Sequence, residues 1–169
     1  MHKRHLLIAL AAAPLAACGF RLRGVPRFAF RSIYVQAPAG LPLARELVRT
    51  LQGAGSGVTV ITDEAQKTQA EVVLDLLSEQ QERVAVGQSA AGQVRELQLR
   101  LRIRFRLRGQ QGQEWIAETE LLQQRDISYN ETLALSKEGE EAMLYRNMRS
   151  DLVQQLMRRL AAVKPGAAA

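Results

Sequence analysis

Histidine and cysteine are nearly missing from this 169-residue chain: there are two histidines, His2 and His5, and one cysteine, Cys18. A lone cysteine cannot close a disulfide within the chain, so stability has to come from packing and hydrogen bonds. Once residues 1–17 are removed, as argued below, no histidine and no free thiol remain. That excludes zinc sites of the usual type and the Ser-His-Asp and Cys-His arrangements of nucleophilic enzymes. Phosphate-cradling loops are missing too: Gly53, Gly55 and Gly57 form GAGSG with no Lys-Ser or Lys-Thr after it, which reads as a turn. The apolar run from Leu6 to Ala17 falls well short of the ~20 residues a spanning helix needs. Carboxylates do cluster at Glu138, Glu140 and Glu141, but acidic residues in the first turn of a helix stabilise its dipole and need no catalytic role. No enzyme activity, metal or cofactor is expected.

What is present begins with the first residues. A positive start (His2, Lys3, Arg4, His5) leads into the apolar run, which ends in Leu15-Ala16-Ala17-Cys18-Gly19. A basic segment, a short apolar stretch and small residues at the cut describe a secretory signal peptide over residues 1–17. A cysteine just after the cut is what lipoprotein maturation requires: its sulfur takes a diacylglyceryl group and Cys18 becomes the new N-terminus. Gly19 is not the aspartate that commonly retains lipoproteins at the inner membrane, so the expected location is the outer membrane. The remaining 152 residues suffice for one domain. Net charge is +6 for the whole chain and +4 without Lys3 and Arg4. Export argues against nucleic acid as the acidic partner and points to anionic lipid or lipopolysaccharide.

Residues 18–31 carry Arg21, Arg23, Arg27 and Arg31 and read as a basic tether between lipid and domain, each arginine adding roughly 1 kcal/mol of attraction to anionic headgroups when close. Ser32 to Gln36 is a first strand. Pro38 and Pro42 frame a turn into a helix with Leu43, Leu47 and Leu51 on one face, Gly53 to Gly57 stop it, and Val58 to Thr62 is a second strand. From about Ala70 to Asp126 the pattern is one of long strands. Leu97, Leu99, Leu101, Ile103, Phe105 and Leu107 alternate with Arg100, Arg102, Arg104, Arg106 and Arg108, one face for a core and the other an arginine ladder. Two turns, GQSAAGQ and GQQGQ, make the three strands an antiparallel meander.

If Leu107 faces Trp115, the ladder meets acids on the next strand: Arg108 faces Glu114, Arg104 faces Glu118 and Arg102 faces Glu120, each pair worth roughly 0.2–1 kcal/mol. Arg100 and Arg106 lack acidic partners in this register and are candidates for external anions or a partner surface. The ladder is thus either a solvated, partly paired face or a binding surface. A closing helix from about Glu138 to Val163, with Ser136 as N-cap, aligns Tyr145, Met148, Leu152, Leu156 and Leu160. The expected architecture is α+β, a single domain over 32–164, with two helices on one face of a mostly antiparallel sheet of four to five strands and a flexible tail at 165–169.

Cys18-Gly19-Phe20-Arg21-Leu22-Arg23-Gly24 resembles the CGFxLRG start of the LPS-assembly lipoprotein LptE family. Tyr34-Val35, the segment Gly92-Gln93-Val94-Arg95-Glu96-Leu97-Gln98, and Leu133-Ala134-Leu135-Ser136-Lys137-Glu138 extend the likeness over nearly all of the chain after the signal. The resemblance implies a plug seated in the large outer-membrane β-barrel LptD, which it helps to fold, and a protein that binds lipopolysaccharide. It also implies lipopolysaccharide contacts from basic residues near the hairpin turn and at the start of the last helix. Lys137 matches the second position. The hairpin position is Ala90 here, and Arg95 on the adjoining strand is the candidate to replace it. Two other classes remain: a periplasm-facing binding module for another envelope ligand, which predicts an apolar pocket between helices and sheet, and a structural tether that binds no glycolipid.

Overall fold

The computed structural model describes residues 24–129 and 134–164. The signal segment, Cys18 and the tail lie outside the described residues. In chain order come β1 (Ser32–Gln36), α1 (Pro42–Gly53), β2 (Thr59–Ile61), a 3-10 turn (Glu64–Gln69), β3 (Val72–Gln88), β4 (Val94–Gly109), β5 (Glu114–Ser128) and α2 (Ala134–Ala162). They build a five-stranded sheet in the order β2-β1-β3-β4-β5. β1 runs parallel to both β2 and β3, whereas β3, β4 and β5 form the antiparallel meander. The expected α+β domain, two helices over a mostly antiparallel sheet, is what the chain forms.

The core lies between the sheet and the helices. Leu43 and Leu47 of α1, Leu99, Leu101, Ile103, Phe105 and Leu107 of β4, and Met148, Leu152, Leu156 and Leu160 of α2 are all fully buried. Packing begins earlier than the strand pattern suggests. Phe30 is buried, its ring 5.3 Å from that of Phe28 and 6.4 Å from Trp115, so the end of the basic segment belongs to the folded body. Both hairpins use one construction. Gly92 donates to the Ser89 carbonyl and Gly112 to the Gly109 carbonyl, with φ of +77° and +83°, the left-handed position that closes a three-residue loop and favours glycine.

Two sequence expectations change. α2 begins at Ala134 rather than near Glu138, so Ser136 lies inside the helix instead of capping it, and the three glutamates sit beyond the first turn. Ala134 and Leu135 are strong helix formers that extend the helix backwards. The register between β4 and β5 also differs. Near the turn Arg108 does pair with Glu114, but Leu107 pairs with Ile116 and Phe105 with Thr119, so two single-residue bulges in β5 displace every later partner by two. Arg104 therefore lies opposite Glu120, and Arg102 opposite Leu122. Since side chains alternate with period two, a shift of two leaves each residue on its expected face.

A bulge in β3 acts the other way. Leu76 pairs with Phe105 and Ser78 with Arg104, leaving Leu77 unmatched. One extra residue inverts the alternation. Asp75 lies on the ladder face opposite Arg106, but Glu79, four residues on, falls opposite the core residue Ile103 and points under the helices. There its carboxylate accepts from the Leu43 backbone N–H (3.1 Å) and from Arg149 Nε (2.8 Å). α1 has no capping side chain of its own. Glu79 supplies the missing acceptor from the sheet and ties both helices to β3.

Candidate functional site

The ladder is a three-row array. β4 contributes the arginines, and β3 and β5 flank them with acids. Arg104 Nη1 lies 3.1 Å from Glu118 Oε1, and Arg102 reaches both Glu120 and Glu82. These are the pairs expected from the sequence, made diagonally across the bulged register rather than straight across. Arg106 corrects the sequence reading: its Nε is 2.8 Å from Asp75 Oδ2, so it does have an acidic partner, on β3 rather than β5. Asp75 also accepts from Arg108, at 2.7 Å from Nε and 3.1 Å from Nη2. Burial by itself would raise the Asp75 carboxyl, but hydrogen bonds from Arg108 and Arg106 outweigh it and hold its pKa below the ordinary aspartate value. Its bond to Asp75 likewise raises the Arg108 guanidinium.

Arg100 alone among the five ladder arginines has no ion pair among the described residues. Its Nε donates to Gln98 Oε1 at 2.8 Å. Glu82 sits opposite it in the register, but that carboxylate is within ion-pair range of Arg102 instead. The ladder is thus a largely self-neutralised face with one cation to spare.

Lys137, matched to a glycolipid contact, and Arg95, the candidate to replace the hairpin contact, lie at one end of the sheet. Lys137 Nζ donates to Glu140 Oε2 at 2.7 Å and approaches Ser128 Oγ at 3.4 Å. Ser128 pairs across the sheet with Glu96. Arg95, next to Glu96, accepts at its carbonyl from the Tyr129 N–H (2.8 Å) and donates from Nη2 to Gln93 Oε1 (3.1 Å). Ala90 stands in the β3–β4 turn beside them. The Lys137 ammonium is a half-buried, partnered charge rather than a freely mobile one, and its bond to Glu140 is a helical i, i+3 pair.

Two features were not read from the sequence. One is the Glu79–Arg149 pair, which depends on the β3 bulge. The other is that three of the cations without a carboxylate partner among the described residues, Arg45 and Arg49 on α1 and Arg146 on α2, line one groove of the helix layer. The i, i+4 spacing of Arg45 and Arg49 was visible, but nothing local links them to Arg146. Between helices and sheet lies a continuous core of buried apolar side chains. An apolar groove of about 500 Å³ opens elsewhere, where Gly24 and Pro26 meet Thr50 and Gly53 of α1, Ala54 just after it, and Met157 and Ala161 of α2. No described helix is long and apolar enough to cross a membrane.

The family model for LptE, described as lipopolysaccharide-assembly, matches residues 30–160. The chain belongs to the LptE family. Its role therefore lies in lipopolysaccharide assembly, and it is not an enzyme. The LPS-assembly lipoprotein LptE of Yersinia pestis is 29% identical over 161 residues, covering 94% of this chain and 75% of that protein, and the Yersinia pseudotuberculosis protein matches to the same degree. Among solved structures, lipoprotein B from Nitrosomonas europaea is 31% identical with a TM-score of 0.71, covering 85% of this chain and 91% of that one. A minor lipoprotein from Acinetobacter baumannii, 23% identical with a TM-score of 0.63 over 80% of this chain and 93% of its own, shares the fold. The LptE match opens at Phe30, where the packed structure also begins, and it contains Arg95, Arg100, Arg106 and Lys137. Cys18 lies upstream of it.

Proposed function

We propose that this LptE-family chain is held on the periplasmic face of the outer membrane by lipid on Cys18, seats as a plug in the LptD β-barrel and assists its assembly. In the same reading it contacts lipopolysaccharide through Lys137 and Arg95 at one end of the sheet. The observation that carries this is the convergence of the α2 start, the β5 end and the Arg95 strand on Ser128 and Glu96, inside the matched family range. A buried apolar core and a largely self-neutralised polar sheet face also suit a plug that must present shape and hydrogen-bonding groups to a barrel wall. Lys137 is half-buried against Glu140, so a phosphate would have to compete with that carboxylate, and the contact is weak unless Arg95 adds to it.

Purification of the full chain from outer membranes tests the partner: a barrel of LptD size should come with it, and Cys18→Ala should cost this chain its lipid label and its outer-membrane fractionation. Lys137→Asp combined with Arg95→Gln should weaken lipopolysaccharide binding at low salt while barrel association persists. Equal affinity for wild type and the double variant would remove the glycolipid role from this end of the sheet. The alternative, a periplasm-facing binding module, draws on the apolar groove near Gly24, and would show ligand affinity that survives this double substitution and no co-purifying barrel.

A further inference from the structure

The arginine ladder is largely neutralised by its flanking acids, whereas three exposed arginines gather beside a groove between the helices. A second groove, of about 510 Å³, runs between α1 and α2 and is lined by Pro42, Arg45, Glu46, Arg49, Arg146 and Arg149. Arg149 is spoken for by Glu79 behind it, at 2.8 Å. Glu46, the one acid on the wall, receives the Ser150 hydroxyl. Arg45, Arg49 and Arg146 are exposed and have no hydrogen-bonding or ion-pair partner among the described residues. Arg45 and Arg49, one helical turn apart, repel each other, and Arg146 brings a third guanidinium to the same groove from the facing helix. Four of the five ladder arginines meet acids of the flanking strands; these three meet none among the described residues.

We propose that Arg45, Arg49 and Arg146 form an anion site in the α1–α2 groove that binds a phosphate-bearing ligand. Guanidinium forks from two helices can each give two parallel N–H donors to phosphate oxygens, and a doubly charged phosphomonoester offsets the mutual repulsion of its hosts. The lining excludes the main competitors. No leucine, methionine or aromatic ring borders the groove, so an acidic protein would find no apolar anchor of the kind that carries a protein interface. Nor is there a ring on which a nucleobase could stack. The site is on another part of the molecule from Lys137 and Arg95 and does not depend on their assignment or on the lipid anchor.

The test uses the purified full chain at low ionic strength, where such contacts are least screened. Pyrophosphate is titrated calorimetrically, and vesicles of phosphatidylcholine with and without phosphatidic acid are assayed for binding by flotation. The triple variant Arg45→Gln, Arg49→Gln, Arg146→Gln should bind at least tenfold more weakly, while its circular dichroism and unfolding midpoint stay at wild-type values. The double variant Arg102→Gln, Arg104→Gln should bind like wild type. A gain in vesicle binding with phosphatidic acid that pyrophosphate competes away and the triple variant loses assigns the ligand to a lipid phosphate. Pyrophosphate binding with no such gain over phosphatidylcholine alone assigns it to a soluble phosphate. No saturable binding by wild type, equal binding by the triple variant, or tighter binding of polyglutamate than of either phosphate probe through the same arginines overturns the proposal, the last in favour of an acidic protein partner.

Discussion

Asp75→Asn probes the one carboxylate on which the ladder converges. The Asp75 side chain is 6% exposed, whereas those of Arg106 and Arg108 are 37% and 33% exposed. Three hydrogen bonds reach Asp75, all from charged donors, and each such bond contributes roughly 1.5–3 kcal/mol when both partners are held. The arginines can turn to water when the charge is lost, and asparagine retains one acceptor, so the net loss is much smaller than the sum, about 2 kcal/mol at neutral pH. The sign of the pH dependence follows from the depressed carboxyl. Its folded-state pKa lies below the ordinary 3.8, so its stabilisation is complete above that value and disappears as pH falls through the folded pKa. Urea unfolding of wild type and Asp75→Asn, followed by the fluorescence of Trp115, the only tryptophan, should therefore show a gap that is constant from pH 7 to about 5 and shrinks towards about pH 2. A gap of the same size at both ends of that range would refute the electrostatic account and leave only a packing defect.

Glu79→Gln should cost about 2–4 kcal/mol, because it leaves Arg149 without its anion in a site where both side chains are nearly buried and weakens the acceptor at the start of α1; hydrogen exchange at the first turn of α1 should rise with it. Arg104→Glu should destabilise the sheet by setting a third acid beside Glu118 and Glu120, and adding Glu118→Arg should recover part of the loss, with a coupling of roughly 0.2–1 kcal/mol because this pair is half-exposed. A double-mutant cycle with zero coupling would show the diagonal pair to be energetically silent. Gly112→Val should lower stability by about 1–2 kcal/mol through its φ of +83° alone, since no atom lies near enough to obstruct a Cβ, and Gly112→Asn should lose less.

The self-neutralised ladder changes where external anions are to be sought on this fold. Five consecutive arginines on one strand face look like a basic surface when the strand is read alone. In the sheet, acids from β3 and β5 answer four of them, and among the described residues Arg100 alone of the five is left without a carboxylate. A pair on α1 and a single arginine on α2, unremarked in sequence, then stand together beside one groove without a partner among the described residues.

Local periodicity carried most of the architecture by itself. Leucines alternating with arginines specify an exposed and a buried face for β4 whatever its neighbours are. The apolar stripes of α1 and α2 specify which sides turn inward, and the glycines at 92 and 112 mark both hairpins, because each of these signals depends only on residues a few positions apart. The family resemblance was legible for the same reason, in short stretches of matching order. What the tertiary structure alone decided are the quantities that compare distant segments. The bulge at Leu77 turns Glu79 from the ladder face to the helix face, where it meets a residue 70 positions away. Two bulges in β5 move straight pairs to diagonal ones, Asp75 takes the arginine that β5 could not satisfy, and α2 carries Arg146 to the side of Arg45 and Arg49. A bulge is a choice between nearly equal backbone registers, settled by which side chains then find partners, and those partners are contributed by strands and helices that the local pattern does not contain.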